Sequence, residues 1–121
     1  MSGVFLNHTN HLSRNWYEFQ RAEAEKYGTV FDLPFPDINP EWDEEAVLRL
    51  AEENCKRIVE LQPSAVLCQG EFTYCYHLIS LLKKNGVVVL AACSKRETKE
   101  WEEEGQQVKK AVFTFIRFRR Y

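Results

Sequence analysis

Four short apolar runs, each followed by a polar or amphipathic stretch, constrain the fold of this chain more than any other feature. They are Val4-Phe5-Leu6, Thr29 to Leu33, Ser64 to Cys68, and Val87 to Cys93. Runs this short and this apolar suit strands buried on both faces of a parallel sheet. The stretches between them carry helical periodicity. Trp16, Phe19, Gln20, Glu23, Ala24 and Tyr27 recur at three- and four-residue steps, with Ser13 as the expected N-cap and Gly28 as the stop. A second helix opens near Asp43 and presents Val47, Leu50, Ala51, Ile58, Val59 and Leu61 before Pro63. A third spans Phe72 to Lys84, with Tyr76, Leu78, Ile79 and Leu82 expected inward, and ends at Asn85-Gly86. Strands alternating with helices imply a parallel core.

The last segment changes period. Glu97 to Trp101 reads as a strand, Glu102 to Gln106 as a glycine-containing turn, and Val108 to Arg119 as an alternating strand. A terminal antiparallel hairpin follows. The expected order is β-α-β-α-β-α-β-β-β. Right-handed crossovers turn this into a three-layer α/β sandwich of Rossmann-like type, with strand order 2-1-3-4 and the hairpin near one edge. The 121 residues suit a single domain covering 1–121.

Open α/β sheets bind ligands outside the carboxyl ends of their strands, where the strand order reverses. That reversal falls between the first and third strands, and both end in polar loops. The first loop is Asn7-His8-Thr9-Asn10-His11-Leu12-Ser13 and the second is Gln69-Gly70-Glu71-Phe72-Thr73. Ser94-Lys95-Arg96, after the fourth strand, lies beside them. His8 and His11 are the side chains suited to moving protons near neutral pH, although a solvated loop with an N-cap at Ser13 and one histidine buried and satisfied is the alternative. Asn7, Asn10 and Ser13 supply donors and acceptors for a sugar or a phosphodiester. Gly70 permits close backbone approach, the amides of the third helix favour an anion, and Thr73 and Gln69 add polar contacts. Glu71 opposes an anion there and reads more readily as a first-turn residue complementing the helix dipole. Lys95 and Arg96 are the cations, Arg being capable of bidentate phosphate binding, although the same residues also make an ordinary charged turn. Trp16 and Trp42 are aromatic enough to stack on bases but suit core or lid packing better. Arg117, Arg119 and Arg120 read as the solvated guard of an edge strand.

Several classes are disfavoured. The net charge of -2 argues against a duplex DNA or other non-specific nucleic-acid groove. The Walker-type phosphate loop, the G-x-G-x-x-G dinucleotide fingerprint and the G-x-S-x-G elbow do not occur in the sequence. Cys55, Cys68, Cys75 and Cys93 form no C-x-x-C pair, so buried reduced thiols are expected rather than zinc. Neither a signal peptide nor a membrane span is expected, the latter needing roughly 18 apolar residues. Those readings together point to a cytoplasmic protein, with neither metal nor cofactor called for.

The chain resembles a group of small single-domain proteins of type III CRISPR systems whose Rossmann-like core is related to CARF sensor domains. The resemblance rests on the strand-one loop with Asn7, His8 and His11, on Val66-Leu67-Cys68-Gln69-Gly70-Glu71-Phe72-Thr73, and on Cys93-Ser94-Lys95-Arg96. It covers most of residues 1–96. It implies a homodimer that binds a cyclic oligoadenylate at the strand ends, the four-membered ring being the expected ligand. Some such proteins cleave the ring and end the antiviral signal. Ser13, Gln69, Thr73 and Lys95 would then be ligand contacts, and His8 or His11 the proton carrier. In-line attack by a ribose 2′-hydroxyl supplies a metal-independent route. Glu71 and the slight acidity of the chain depart from the pattern expected for an anionic ligand. The alternatives are a non-catalytic nucleotide sensor or sponge of the same fold, and a small α/β protein that works through partner contacts.

Overall fold

The computed structural model describes residues 3–121. Strands β1 (Val4–His8), β2 (Thr29–Asp32), β3 (Ala65–Cys68), β4 (Val89–Glu103) and β5 (Gln106–Arg120) alternate with helices α1 (Glu18–Glu25), α2 (Glu44–Glu60) and α3 (Phe72–Lys84) until the final antiparallel pair. The five strands form one sheet in the order β2-β1-β3-β4-β5. β1 pairs in parallel with β2 and β3, and β3 with β4; only β5 is antiparallel, to β4. The order 2-1-3-4 is thus the one the sequence implies, and the reversal lies at β1 and β3.

Helices cover both faces. Leu6, Val66, Cys68 and Val89 meet Val47, Ala51, Cys55 and Ile58 of α2 and Tyr74, Leu78 and Leu82 of α3 on one side. Phe5, Ala65, Leu67 and Leu90 meet Ala24 of α1 together with Trp16, Tyr27 and Phe118 on the other. Adjacent β3 residues therefore enter opposite cores, which is why its run is apolar throughout. Each fully buried Ile58, Leu78 or Leu82 contributes about 1.5–3 kcal/mol of transfer free energy. α2 begins where the Asp43 carboxylate accepts the Ala46 amide at 3.0 Å, with Glu44 and Glu45 complementing the helix dipole. α3 ends at Asn85, and Gly86 takes the left-handed turn at φ 74° that a side chain would strain.

Four local expectations are corrected. Ser13 does not cap α1: it opens a single 3-10 turn, Ser13–Asn15, and α1 starts at Glu18 after extended backbone at Trp16 and Tyr17. The hydroxyl of Ser13 is committed to Asp32, and Trp16 is held against the Phe5 ring, so the helix cannot begin there. Ser94-Lys95-Arg96 is not a turn. Cys93 to Trp101 is one continuous strand, because β5 supplies ladder partners from Arg117 to Val108 with a single register shift between Cys93 and Ser94. The expected last three strands are therefore two. Tyr76 and Leu61 face water at 70% and 48% exposure, while Tyr74, Cys75 and Asn54 point inward. α3 is apolar around most of its circumference, so its period does not fix which stripe faces the sheet.

β3 engages β4 only at Val89 and Leu90, whereas the β4–β5 ladder continues to the Glu103–Gln106 pair. Beyond Phe115 the pair leaves the sheet as a two-stranded ribbon, most of whose side chains are exposed.

Candidate functional site

The rim at the reversal is built first around Asp32, the last residue of β2. Its carboxylate accepts the Asn7 Nδ2 amide at 2.8 Å, the Ser13 amide at 3.2 Å and the Ser13 hydroxyl at 3.0 Å. Arg21 of α1 donates to the Ser13 oxygen at 3.2 Å. Asn7 spends its second amide hydrogen on the His11 carbonyl at 2.9 Å, and its oxygen accepts the Thr9 hydroxyl at 2.9 Å. Thr9 in turn accepts the His11 amide at 3.1 Å. Asn7 and Ser13 are buried by this network and act on the loop rather than on solvent. It leaves Asn10 and the His11 side chain exposed at the crest.

His8 faces the other way. It is 1% exposed, and its ring packs in a three-ring cluster with Phe35 and Tyr74, which also touch each other. Nδ1 is 2.9 Å from the Leu33 carbonyl and Nε2 is 2.7 Å from the Tyr74 hydroxyl, which also accepts Asn54 Nδ2 at 2.9 Å. One assignment satisfies every group: Asn54 donates to Tyr74, Tyr74 donates to Nε2, and Nδ1–H donates to Leu33. That is a neutral imidazole. Burial holds its pKa below the ordinary value; the Leu33 carbonyl opposes this, and the Arg57 charge adds to it.

The second loop is also largely committed. The Gln69 carboxamide oxygen accepts the Ala92 amide at 2.8 Å, and its nitrogen faces the Ala92 carbonyl at 3.4 Å, so Gln69 extends the β3–β4 ladder by a side chain. Gly70 is where Phe35 packs: a β-carbon there would stand 2.4 Å from the ring. Glu71 caps α3, taking the Thr73 amide and, at 2.7 Å, the Thr73 hydroxyl. Partial burial raises the Glu71 pKa, but the Thr73 hydroxyl and the Thr73 and Tyr74 amides outweigh it, so the group stays ionised below its usual range. The negative cap occupies the amides that a phosphate would use. Ser94, Lys95 and Arg96 lie exposed at the base of the ribbon, with Lys95 Nζ 3.8 Å from Glu97.

Sequence reasoning missed a groove of about 530 Å³ that starts at Gln69-Gly70 and runs along α3, past Phe72, Tyr76 and Lys83 to Tyr121. Phe72 is 89% exposed. The Tyr121 hydroxyl donates to the Cys68 carbonyl at 2.7 Å, and burial pushes its pKa up to about 12. Directly opposed residues of an antiparallel ladder share a face. Arg119 and Arg117, opposite Ala91 and Cys93, therefore continue the sheet face on which Val89 and Tyr121 lie. Phe72, Tyr76 and Lys83 line the groove itself, and the exposed Arg117 and Arg119 lie on the same sheet face. The signal was present in Phe72, Tyr74 and Tyr76, more aromatics than one inward stripe can bury. Among the described residues no group of three or more His, Cys, Asp or Glu side chains is placed to hold a metal ion, and no helix is long and apolar enough to cross a membrane.

A family model described as "Uncharacterized protein MJ1673 family" matches residues 3–119. No curated protein and no solved structure matches the chain.

Proposed function

We propose that this chain, which belongs to the uncharacterized protein MJ1673 family, is a Rossmann-like, CARF-related protein that binds a cyclic oligoadenylate and opens its ring. The observation that carries the reading is the reversal of strand order between β1 and β3, beside a groove that opens at the β3 carboxyl end and exposes the aromatic Phe72 and Tyr76 and the cationic Lys83. Bases stack on such aromatic faces with little sequence demand, and Arg neutralises phosphate. Phe72 and Tyr76 are the stacking surfaces; Lys83, Arg117 and Arg119 are the cations. They take over the part first given to the α3 amides, which Glu71 occupies.

In the chemical step a ribose 2′-hydroxyl attacks its own phosphorus and the 5′-oxygen leaves, forming a 2′,3′-cyclic phosphate and a free 5′-hydroxyl. The protein supplies in-line positioning and a proton carrier. His11 is the carrier, since its side chain is exposed on the rim while both His8 nitrogens are engaged in the core. The ligand proposed is cyclic tetra-adenylate, its symmetry matched by a homodimer in the cytoplasm, and the outcome is an end to type III CRISPR signalling. His11→Ala is expected to abolish ring opening while leaving binding within a few-fold, measured by chromatography of products beside a gel shift. Unchanged cleavage in that variant would remove His11 from the mechanism.

A second reading, a sensor or sponge that holds the ring intact, is favoured by the engagement of Gln69, Glu71 and Thr73 in local hydrogen bonds and by Lys95 standing on the ribbon. Binding without conversion by the parent protein would establish it.

A further inference from the structure

Two thiols outside the proposed chemistry meet beneath the groove. Cys68 ends β3 and is fully buried; Cys75 lies in the first turns of α3 and lines the groove. The Cys68 thiol donates to the Cys75 sulfur across 3.8 Å. Between them in sequence lie Gln69 to Tyr74, which form the second loop of the rim and the opening of α3. Among the described residues the other two cysteines have no such sulfur partner: Cys55, on α2, faces the Asn85 side-chain amide, and Cys93 is half-buried on β4.

We infer that Cys68 and Cys75 form a two-electron redox pair, in which Cys75 is the attacking thiolate toward a hydroperoxide and Cys68 the resolving thiol. The groove gives small oxidants a path to Cys75 and none to Cys68. The donated hydrogen bond from Cys68 favours ionisation of Cys75 and disfavours that of Cys68; burial and the nearby Glu71 carboxylate work against the Cys75 thiolate. Position near a helix N-terminus works for it. The Cys75 thiolate attacks one peroxide oxygen, forming an S–O bond as the O–O bond breaks, and the alkoxide leaves and takes a proton. The resulting sulfenic acid is attacked by the Cys68 sulfur. The S–S bond forms, and hydroxide leaves with the Cys68 proton as water. The balance is one hydroperoxide and two thiols giving one disulfide, one alcohol and one water. The bond closes residues 68–75 into a ring and ties the rim loop to β3.

The test is titration of the fully reduced native protein with hydrogen peroxide, followed by alkylation and peptide mass mapping. The expected product is lighter by two hydrogens, and cleavage after Glu71 leaves the Cys68 and Cys75 fragments joined until dithiothreitol is added. Cys68→Ala should halt Cys75 at the sulfenic acid, captured by dimedone, and Cys75→Ser should leave Cys68 as a free thiol. If Cys68→Ala does not fold, the wild-type map decides alone. Cys68 and Cys75 both remaining free at a dose that oxidises Cys93, or a disulfide joining either to another cysteine, would overturn the assignment.

Discussion

Replacing Tyr74 by Phe isolates the physical role of His8 more cleanly than any change at His8 itself. The ring volume is kept, so no cavity opens, and only one oxygen is lost. That oxygen accepts from Asn54 at 2.9 Å and stands 2.7 Å from His8 Nε2, with all three residues buried. Its removal leaves two buried polar groups without partners. Each orphan costs about 1–3 kcal/mol, so the variant should lose about 2–6 kcal/mol. Against a typical total of about 5–15 kcal/mol, that is a large fraction of the stability. Urea unfolding followed by circular dichroism reads it as a fall in the midpoint with an unchanged slope. At a slope of about 2 kcal/mol per molar, the midpoint moves by about 1–3 M. Adding Asn54→Leu removes one orphan and should restore part of the loss, giving a coupling of about 0.5–3 kcal/mol. A Tyr74→Phe cost below about 0.5 kcal/mol, the range of surface changes, would refute the proposed hydrogen-bond chain.

Three further outcomes are expected. Because the folded-state pKa of His8 lies below its ordinary value of 6.5, the stability it confers is intact above 6.5, erodes as the pH falls below it, and is gone once the lower folded value is passed; urea midpoints from pH 8 to 5 check this, and His8→Phe should flatten that part of the profile. Gly70→Ala should cost about 1–3 kcal/mol in thermal unfolding, since the new methyl stands 2.4–2.8 Å from three Phe35 ring atoms and the ring must move. Asp32→Ala removes the acceptor for Asn7 and Ser13 and should loosen residues 9–13, read as faster amide exchange there and a loss of about 2–4 kcal/mol.

The parallel core was legible because its evidence is local. Short apolar runs, helical periods and the Asn85-Gly86 stop each sit within a few residues, and α3 begins and ends where they say. Right-handed crossovers then leave little freedom in strand order. The ribbon was not legible. Ser94 to Arg96 are polar and exposed, as in a loop, and their strand conformation comes from partners at Phe113 to Phe115. The rim was legible as a place but not in its detail. Asn7, His8 and Ser13 look alike as polar loop residues. Only the fold brings Asp32, Asn54 and Tyr74 to them, and those contacts decide which side chains turn inward. The α3 groove was hidden for a similar reason: Phe72 and Tyr76 look like core until the helix phase places Tyr74 and Cys75 inside instead.

The most direct test of the central claim is incubation of the purified protein with labelled cyclic tri-, tetra- and hexa-adenylate in EDTA, with products resolved by chromatography beside a native gel shift. Cyclic tetra-adenylate is expected to shift the protein and to convert to linear product ending in a 2′,3′-cyclic phosphate. Neither shift nor conversion with any of the three rings would contradict it, leaving an α/β protein whose aromatic groove serves some other ligand.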